Sequence, residues 1–179
     1  MIKHGRKITR LPEYDYSSVG AYYVTICTKS KTCVFGNIKN GGMVLNKIGE
    51  IARDQIDRTS QLRKNVMIDT CVIMPNHIHM ILLITGDDGR DMARHVPTGR
   101  GRFGKPQSGT LSTIVGAIKS TITKNIHLQD GTDGKSIWQG RFYEHVIRNE
   151  KSLEKIREYI YNNPRNWQVD DENSERIKP

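Results

Sequence analysis

The sequence predicts an α+β protein with a ferredoxin-like fold: an antiparallel four-stranded sheet, helices on one face, and a further C-terminal helix. Two observations predict it. Four segments have the length and the apolar pattern of strands, and three have apolar residues at helical spacing. Their order along the chain is strand, helix, strand, strand, helix, strand, helix, which is the split βαβ arrangement plus one helix.

The N-terminal half contains the first strand and the first helix. "AYYVTICT", from residue 21, alternates well enough for a strand, and a glycine turn is predicted at 41 and 42. "NKIGEIARDQIDRT" then predicts an amphipathic helix. Its apolar residues at helical spacing are Ile48, Ile51, Ala52 and Ile56.

Two strands surround a tight break in the middle of the chain. "VMIDTCVI" and "MILLI" are short apolar runs rich in β-branched residues, which is typical of buried strands. Pro75 and Asn76 supply the break between them.

The C-terminal half supplies the remaining three elements. "TLSTIVGAIKSTITKNI" predicts a second helix, and "RFYEHVI" predicts the last strand. "NEKSLEKIREYIYNNP" predicts a third helix, with Asn149 as its N-cap and Pro164 as its stop.

A chain of 179 residues is long enough for one well-buried domain and short for two. We expect a single domain over residues 20–167, preceded by a basic arm at 1–19 and followed by a charged, frayed tail at 168–179. Residues 86–109 contain six glycines, four arginines and one lysine but few large apolar residues. They predict a mobile basic loop within the domain.

The charge balance favours a polyanionic partner. The formal net charge is +9, and such a charge attracts nucleic acid first and an anionic membrane surface second. No apolar run reaches the length that a bilayer crossing needs, so we expect a cytoplasmic protein without a membrane span. Cys27, Cys33 and Cys71 form no Cys-x-x-Cys motif, which favours reduced, structural thiols.

Two histidines one residue apart interrupt the apolar middle segment, in "MPNHIHMIL". Because side chains on a strand alternate between faces, His77 and His79 should share one face, with Ile78 and Met80 on the other. Such a pair suits metal binding, but buried, hydrogen-bonded histidines give the same pattern. A third ligand and a reacting group would favour the metal site.

The last helix offers both groups. At about 100° per residue, Tyr159 and Asn163 lie about 40° apart on one flank of the apolar stripe, and Tyr161 falls on the opposite flank. A tyrosine hydroxyl and an amide oxygen on that flank can point at a metal held by two histidines. The alternative is that Tyr159 is an amphipathic boundary residue and Asn163 a helix-terminal residue before proline.

These motifs together resemble a known family. "PNHIH", followed far downstream by "WQGRFYEHVIRNEKSLEKIREYIYNNP", resembles the single-tyrosine transposases of the HUH class and, within it, the REP-associated tyrosine transposases. The resemblance covers roughly Tyr22 to Trp167.

The resemblance implies metal-dependent cleavage and rejoining of single-stranded DNA at hairpin-bearing, REP-like sites, through a phosphotyrosine intermediate. His77 and His79 match the family's metal-binding pair, Tyr159 its nucleophile, and Asn163 the polar residue that completes the metal site. The implied cofactor is a divalent metal, Mg²⁺ or Mn²⁺. A monomer and a homodimer are both compatible with it.

Basic and aromatic residues near these motifs are candidates for DNA binding. Arg141, Phe142 and Tyr143, with Trp138, can hold phosphate and stack unpaired bases, although strand alternation can equally place Phe142 or Tyr143 in the core. The loop contributes candidates for phosphate contact, which solvated linker charge explains equally well. They are Arg90, Arg94, Arg100, Arg102 and Lys105.

A second function class also fits the composition. A non-catalytic single-stranded nucleic-acid-binding module on the same kind of sheet would suit the basic charge and the "RFY" segment. It predicts DNA binding that survives chelation, without cleavage. A hydrolase of small phosphate esters is weaker, because "MPNHIHMILLI" has no acidic residue for a two-metal site.

Overall fold

The computed structural model describes residues 19–85, 109–131 and 136–173. The predicted basic arm, except for its last residue, and the predicted basic loop, except for Gly109, lie outside these ranges. In chain order the elements are β1 (Gly20–Cys27), β2 (Gly36–Lys39), β3 (Gly42–Leu45), α1 (Lys47–Leu62), β4 (Val66–Ile73), β5 (His77–Ile84), α2 (Leu111–Asp130), β6 (Tyr143–Ile147) and α3 (Glu150–Asn162).

Four of the strands form one antiparallel sheet in the order β4-β5-β1-β6. If these four strands are numbered 1 to 4 in chain order, their order across the sheet is 2-3-1-4. This is the ferredoxin-like arrangement, and it confirms the predicted fold class. The two central strands, β5 and β1, are covered on both faces, and every residue of β5 is buried.

The two faces of the sheet pack against different helices. Ile78, Met80 and Leu82 of β5 belong to the larger apolar cluster, together with buried residues of α1 and α2. Ile81 and Leu83 belong to a smaller cluster with Ile156 and Ile160 of α3. This separation follows from side-chain alternation along the strand and confirms that α3 is the additional helix.

Each of the three described α-helices begins at a side chain that caps its first turn. The Asn46 side chain accepts a hydrogen bond from the Gly49 N–H at the start of α1, and Thr110 caps α2 in the same way. The predicted cap of α3 is confirmed, because Asn149 Oδ1 accepts from the Ser152 N–H at 2.9 Å. Such caps satisfy backbone donors that have no partner inside the helix.

The sequence interpretation omitted a short hairpin between β1 and α1. β2 and β3 pair as a separate two-stranded sheet. The turn is formed by Asn40 and Gly41, at φ values of 51° and 72°, and not by the glycines at 41 and 42. Asn-Gly is the preferred dipeptide for a tight hairpin turn, because both residues must adopt positive φ.

An ion pair and apolar contacts hold α3 on the sheet. The Arg157 guanidinium donates from Nε to Asp69 Oδ2 at 2.9 Å and from Nη2 to Oδ1 at 2.6 Å. Asp69 lies at the irregularity in β4, between Ile68 and Thr70. The ion pair attaches α3 to β4, and Ile156 and Ile160 pack against the apolar residues of the sheet. Among the described residues, no helix has the length and apolar character to cross a membrane.

Candidate metal and tyrosine site

The two histidines lie together on the α3 face of the sheet. Across the ladder, His77 pairs with Cys27 and His79 with Thr25, both on β1. The two rings are 4.4 Å apart between centroids, and the residues are 0% and 1% exposed. The predicted shared face is confirmed, and it places two imidazoles side by side at one end of the central strands.

A network around Asn76 fixes the His77 imidazole. The Asn76 Nδ2 donates to the carbonyl oxygens of Lys31 and Glu172, so its Oδ1 is the atom that faces His77 Nδ1, at 2.8 Å. Because Oδ1 can only accept, His77 Nδ1 carries the proton. Nε2 is then the nitrogen through which His77 can bind a metal.

The His79 imidazole is held in a similar way by β1. Its Nδ1 lies 2.8 Å from both the Tyr23 hydroxyl and Thr25 Oγ1. The Tyr23 ring also stacks on the His79 ring, with centroids 5.5 Å apart. These contacts orient the ring and again leave Nε2 as the nitrogen for coordination, an arrangement common around metal-binding histidines.

Tyr159 of α3 projects toward the same histidine. Its ring centroid is 5.4 Å from that of His79 and 6.3 Å from that of Tyr23, and the residue is half-buried. Burial and the nearby Asp170 raise the pKa of Tyr159 to about 12. The neighbouring Asn163 and Tyr23 side chains act in the opposite direction, but their effect is smaller. The hydroxyl is therefore protonated at neutral pH and needs help to act as a nucleophile.

Asn163 lies one turn after Tyr159 and is 1% exposed. Its backbone remains helical, with φ −57° and ψ −42°, although the next residue is Pro164. The Asn163 Nδ2 donates to Asp170 Oδ2 at 3.2 Å, whereas its Oδ1 is buried and has no hydrogen-bond partner among the described residues. A buried amide oxygen of this kind fits a role beside a cation.

Asp170 joins the histidines, although the sequence interpretation assigned it to the charged tail. Ligand atoms of His77, His79 and Asp170 all lie within 4.8 Å of one another. Asp170 is 8% exposed, and burial raises the pKa of its carboxyl group. Two imidazoles and a carboxylate are a donor set that suits a divalent metal ion. No local sequence signal points to Asp170, because it follows a turn and a short 3-10 helix, Trp167–Val169, beyond the end of α3.

The segment that carries Asp170 is tied to the rest of the site. Lys31 Nζ donates to the Asp171 carbonyl oxygen at 2.8 Å and forms an ion pair with Glu172 at 3.2 Å. The Glu172 carbonyl oxygen accepts from Asn76, the residue that orients His77. Residues 168–173, expected to be the beginning of a frayed tail, therefore lie against the domain.

The residues predicted to bind DNA are in different environments. Arg141 is exposed, Phe142 packs partly against the larger core, and Tyr143 packs on the α3 face with its ring 6.0 Å from that of Tyr23. Trp138 is buried, and its Nε1 donates to the Lys119 carbonyl oxygen, so its ring is not accessible for base stacking. The candidates outside the described residues are Arg90, Arg94, Arg100, Arg102 and Lys105.

Tyr161 is not part of this arrangement. It is 75% exposed, on the side of α3 that faces away from the sheet. Two residues along a helix correspond to a rotation of about 200°, which separates Tyr161 from the face that carries Tyr159. Of the two tyrosines of α3, Tyr159 is therefore the one that lies against the histidines.

Two Haemophilus influenzae proteins are similar to this chain. One, an uncharacterised protein, is 39% identical over 175 residues, covering 93% of this chain and 92% of the relative. The other is named "Putative REP-associated tyrosine transposase" and is 23% identical over 158 residues, covering 84% of this chain and 73% of the relative. No protein-family model matches the chain.

A solved structure has the same fold. It is that of a REP-associated tyrosine transposase bound to a REP hairpin, and it superposes with a TM-score of 0.56 at 22% identity. The alignment covers 88% of this chain and 72% of the other. The resemblance inferred from the motifs is thus matched by similarity in sequence and in fold.

Proposed function

We propose that this chain is a metal-dependent DNA strand transferase. It belongs to the same family as the uncharacterised Haemophilus influenzae protein and resembles the REP-associated tyrosine transposases. Its substrate is single-stranded DNA that carries REP-like hairpins. The observation that supports this most directly is the meeting of Tyr159 with a buried group of two histidines and one aspartate.

The proposed reaction exchanges one phosphodiester for another. The Tyr159 oxygen attacks phosphorus and forms a phosphotyrosine bond, while the bond from phosphorus to the adjacent sugar oxygen breaks. The phenol loses its proton, and the departing sugar oxygen gains one and becomes a hydroxyl group. Attack by such a hydroxyl on the phosphotyrosine reverses the exchange and rejoins DNA without ATP.

The residues around Tyr159 supply what this attack needs. A group with a pKa of about 12 attacks efficiently only where developing negative charge is stabilised. We assign His77, His79 and Asn163 as metal ligands, and a bound Mg²⁺ or Mn²⁺ would draw charge from the scissile phosphate. The Tyr23 and Asn163 side chains lie near the Tyr159 hydroxyl and act to lower its pKa, against the effect of burial.

We assign the predicted DNA contacts to two groups. Tyr143 lies beside Thr25 on the face that carries His79, so a strand entering the site would pass Tyr143, with Arg141 and Phe142 immediately before it. Arg100, Arg102 and Lys105 would contact backbone phosphates.

Covalent capture of hairpin DNA tests the proposal. The full chain is incubated with labelled single-stranded hairpins from its own genome, with Mn²⁺ or with EDTA, and adducts that resist denaturation are counted. We expect metal-dependent adducts that disappear in Tyr159→Phe. Tyr161→Phe is the matched control, because it removes an exposed hydroxyl from the same helix, and it should retain them.

Two outcomes would contradict the proposal. Adducts that persist in Tyr159→Phe would refute the assigned nucleophile. DNA binding without any adduct, across many hairpins and unaffected by EDTA, would favour the non-catalytic binding module.

A further inference from the structure

We infer that Asp170 is an anionic ligand of the metal ion and that Asn163 positions it, an assignment that rests on the proposed function. The resemblance supplies the two histidines and a polar residue on the tyrosine helix. Asp170 lies seven residues beyond that polar residue, in the segment that follows α3. Its contribution would give the site a negative charge that two imidazoles and an amide lack.

The surroundings of Asp170 leave room for a positive partner. The groups that donate hydrogen bonds to its carboxylate are the Asn163 amide, at 3.2 Å, and the Glu172 backbone N–H, at 2.6 Å, and both are neutral. A buried carboxylate is normally paired with a cation or bound to a metal, because desolvation of an isolated charge is costly. The ligand nitrogens of His77 and His79, within 4.8 Å, define where such a cation would lie.

The position of Asp170 is coupled to that of His77. The Asn76 side chain contacts His77 Nδ1 with its oxygen and the Glu172 carbonyl with its nitrogen, both at 2.8 Å. One amide therefore links the histidine ring to the segment that carries Asp170. On the other side, Asn163 links Asp170 to the helix of Tyr159. Both connections are made by buried side chains, as expected of a preorganised site.

A carboxylate at this position would change which metal the site prefers. Imidazole nitrogens suit zinc, nickel and copper, whereas carboxylate oxygens suit magnesium and manganese. Removing the charge of Asp170 should therefore weaken Mn²⁺ binding more than Zn²⁺ binding. The loss of an outer partner already lowers metal affinity about 10–100-fold, so the loss of a ligand should lower Mn²⁺ affinity at least about tenfold.

Metal titration of the full chain without DNA tests this inference. Free Mn²⁺ is followed by electron paramagnetic resonance in the wild type, in Asp170→Asn and in Asp171→Asn. The control removes the same charge one residue away, from an exposed side chain. We expect about tenfold or greater loss in Asp170→Asn and unchanged binding in Asp171→Asn, with circular dichroism confirming that each variant is folded. Equal affinities in all three proteins would overturn the inference.

A second variant reports coordination directly and does not depend on the stability of Asp170→Asn. In Asp170→Cys loaded with Co²⁺, a thiolate ligand would give a near-ultraviolet charge-transfer band that is absent from the wild type and from Asp171→Cys. The band would support the inference, and its absence in a folded Asp170→Cys that binds Co²⁺ would overturn it.

The two proposals fail in different ways. If the wild type forms adducts with Mn²⁺ while Asp170→Asn binds the ion as tightly, only the role of Asp170 is refuted. If the wild type binds no Mn²⁺ in the titration and forms no adduct with hairpin DNA, the proposed function is refuted as well.

Discussion

The two faces of β5 differ in chemistry. The even-numbered residues from Ile78 to Ile84 face α1 and α2 and are all apolar. The odd-numbered residues face α3 and begin with His77 and His79. Both faces are equally buried, so they differ in chemistry and not in exposure. The α1–α2 face gains stability from apolar burial. The α3 face buries polar groups that need hydrogen-bond partners. Tyr23, Thr25 and Asn76 supply partners to the histidine Nδ1 atoms, whereas Asn163 Oδ1 has none among the described residues.

One strand therefore serves stability and chemistry at once. Alternation gives each role its own face, and a one-residue shift in register would exchange the two. The apolar face fixes that register, because any slip would expose its residues to the polar site. The histidines are therefore held in place by residues that never contact the site.

The largest expected effect is on adduct formation. A substitution on the α3 face of β5 should nearly abolish it, whereas a substitution on the other face should lower stability instead. His79→Ala should reduce metal-dependent adducts at least about 100-fold while leaving the protein folded, because it removes an assigned ligand. Leu82→Ala, three residues along the same strand, should lower the free energy of unfolding by about 2–5 kcal/mol. Its folded fraction should still form adducts.

Adduct yield and urea unfolding, measured on both variants below their unfolding transitions, check this prediction. Adduct formation by His79→Ala within tenfold of the wild type would contradict the assignment of His79 as a metal ligand. It would show that the buried histidines are structural.

A second, smaller effect concerns alkaline pH. Burial raises the pKa of Tyr23 and Cys27 on the α3 face above their ordinary values, and that of Tyr159 to about 12. Between the ordinary and the raised pKa, only the unfolded chain loses these protons. The contribution of these three groups to the free energy of unfolding should therefore be constant below about pH 8 and should fall as pH rises further.

Urea unfolding in EDTA at about pH 8 and about pH 10.5 measures this loss. Tyr23→Phe should lose less stability between the two values than the wild type, because one buried hydroxyl no longer titrates. Tyr161→Phe is the control for a tyrosine outside the site. An identical decrease in Tyr23→Phe and the wild type would place the pH sensitivity elsewhere. Cys71, whose pKa burial raises to about 12, is the candidate on the other face.

The smallest expected effect concerns the attachment of α3. The Arg157–Asp69 pair is partly exposed, with side-chain exposures of 41% and 15%, so water screens it. Asp69→Asn should lower the free energy of unfolding by less than about 1 kcal/mol, whereas Ile160→Ala should cost about 2–5 kcal/mol. Chemical denaturation of both variants distinguishes them. A larger loss in Asp69→Asn would show that the ion pair, and not apolar packing, holds the tyrosine helix.

Most of the element order and part of the site follow from local patterns. The positions of His77 and His79 on one face depend only on strand alternation, and the spacing of Tyr159 and Asn163 depends only on helical periodicity. The β2–β3 hairpin was also accessible from its Asn-Gly turn, but its strands of four residues are too short to give a clear pattern.

The fold class follows from the order of strand and helix patterns along the sequence. The shared face of the two histidines and the flank of α3 that carries Tyr159 also follow from the sequence, because each rests on a period of two or 3.6 residues within one element. Only the tertiary structure decided that Asp170 joins them and that Trp138 does not serve as an exposed aromatic residue. Asp170 follows a turn and a short 3-10 helix, and the next two residues contact Lys31 and Asn76, which lie about 100 positions or more away in the chain. Contacts of that kind have no periodic signature, because they depend on how distant elements pack.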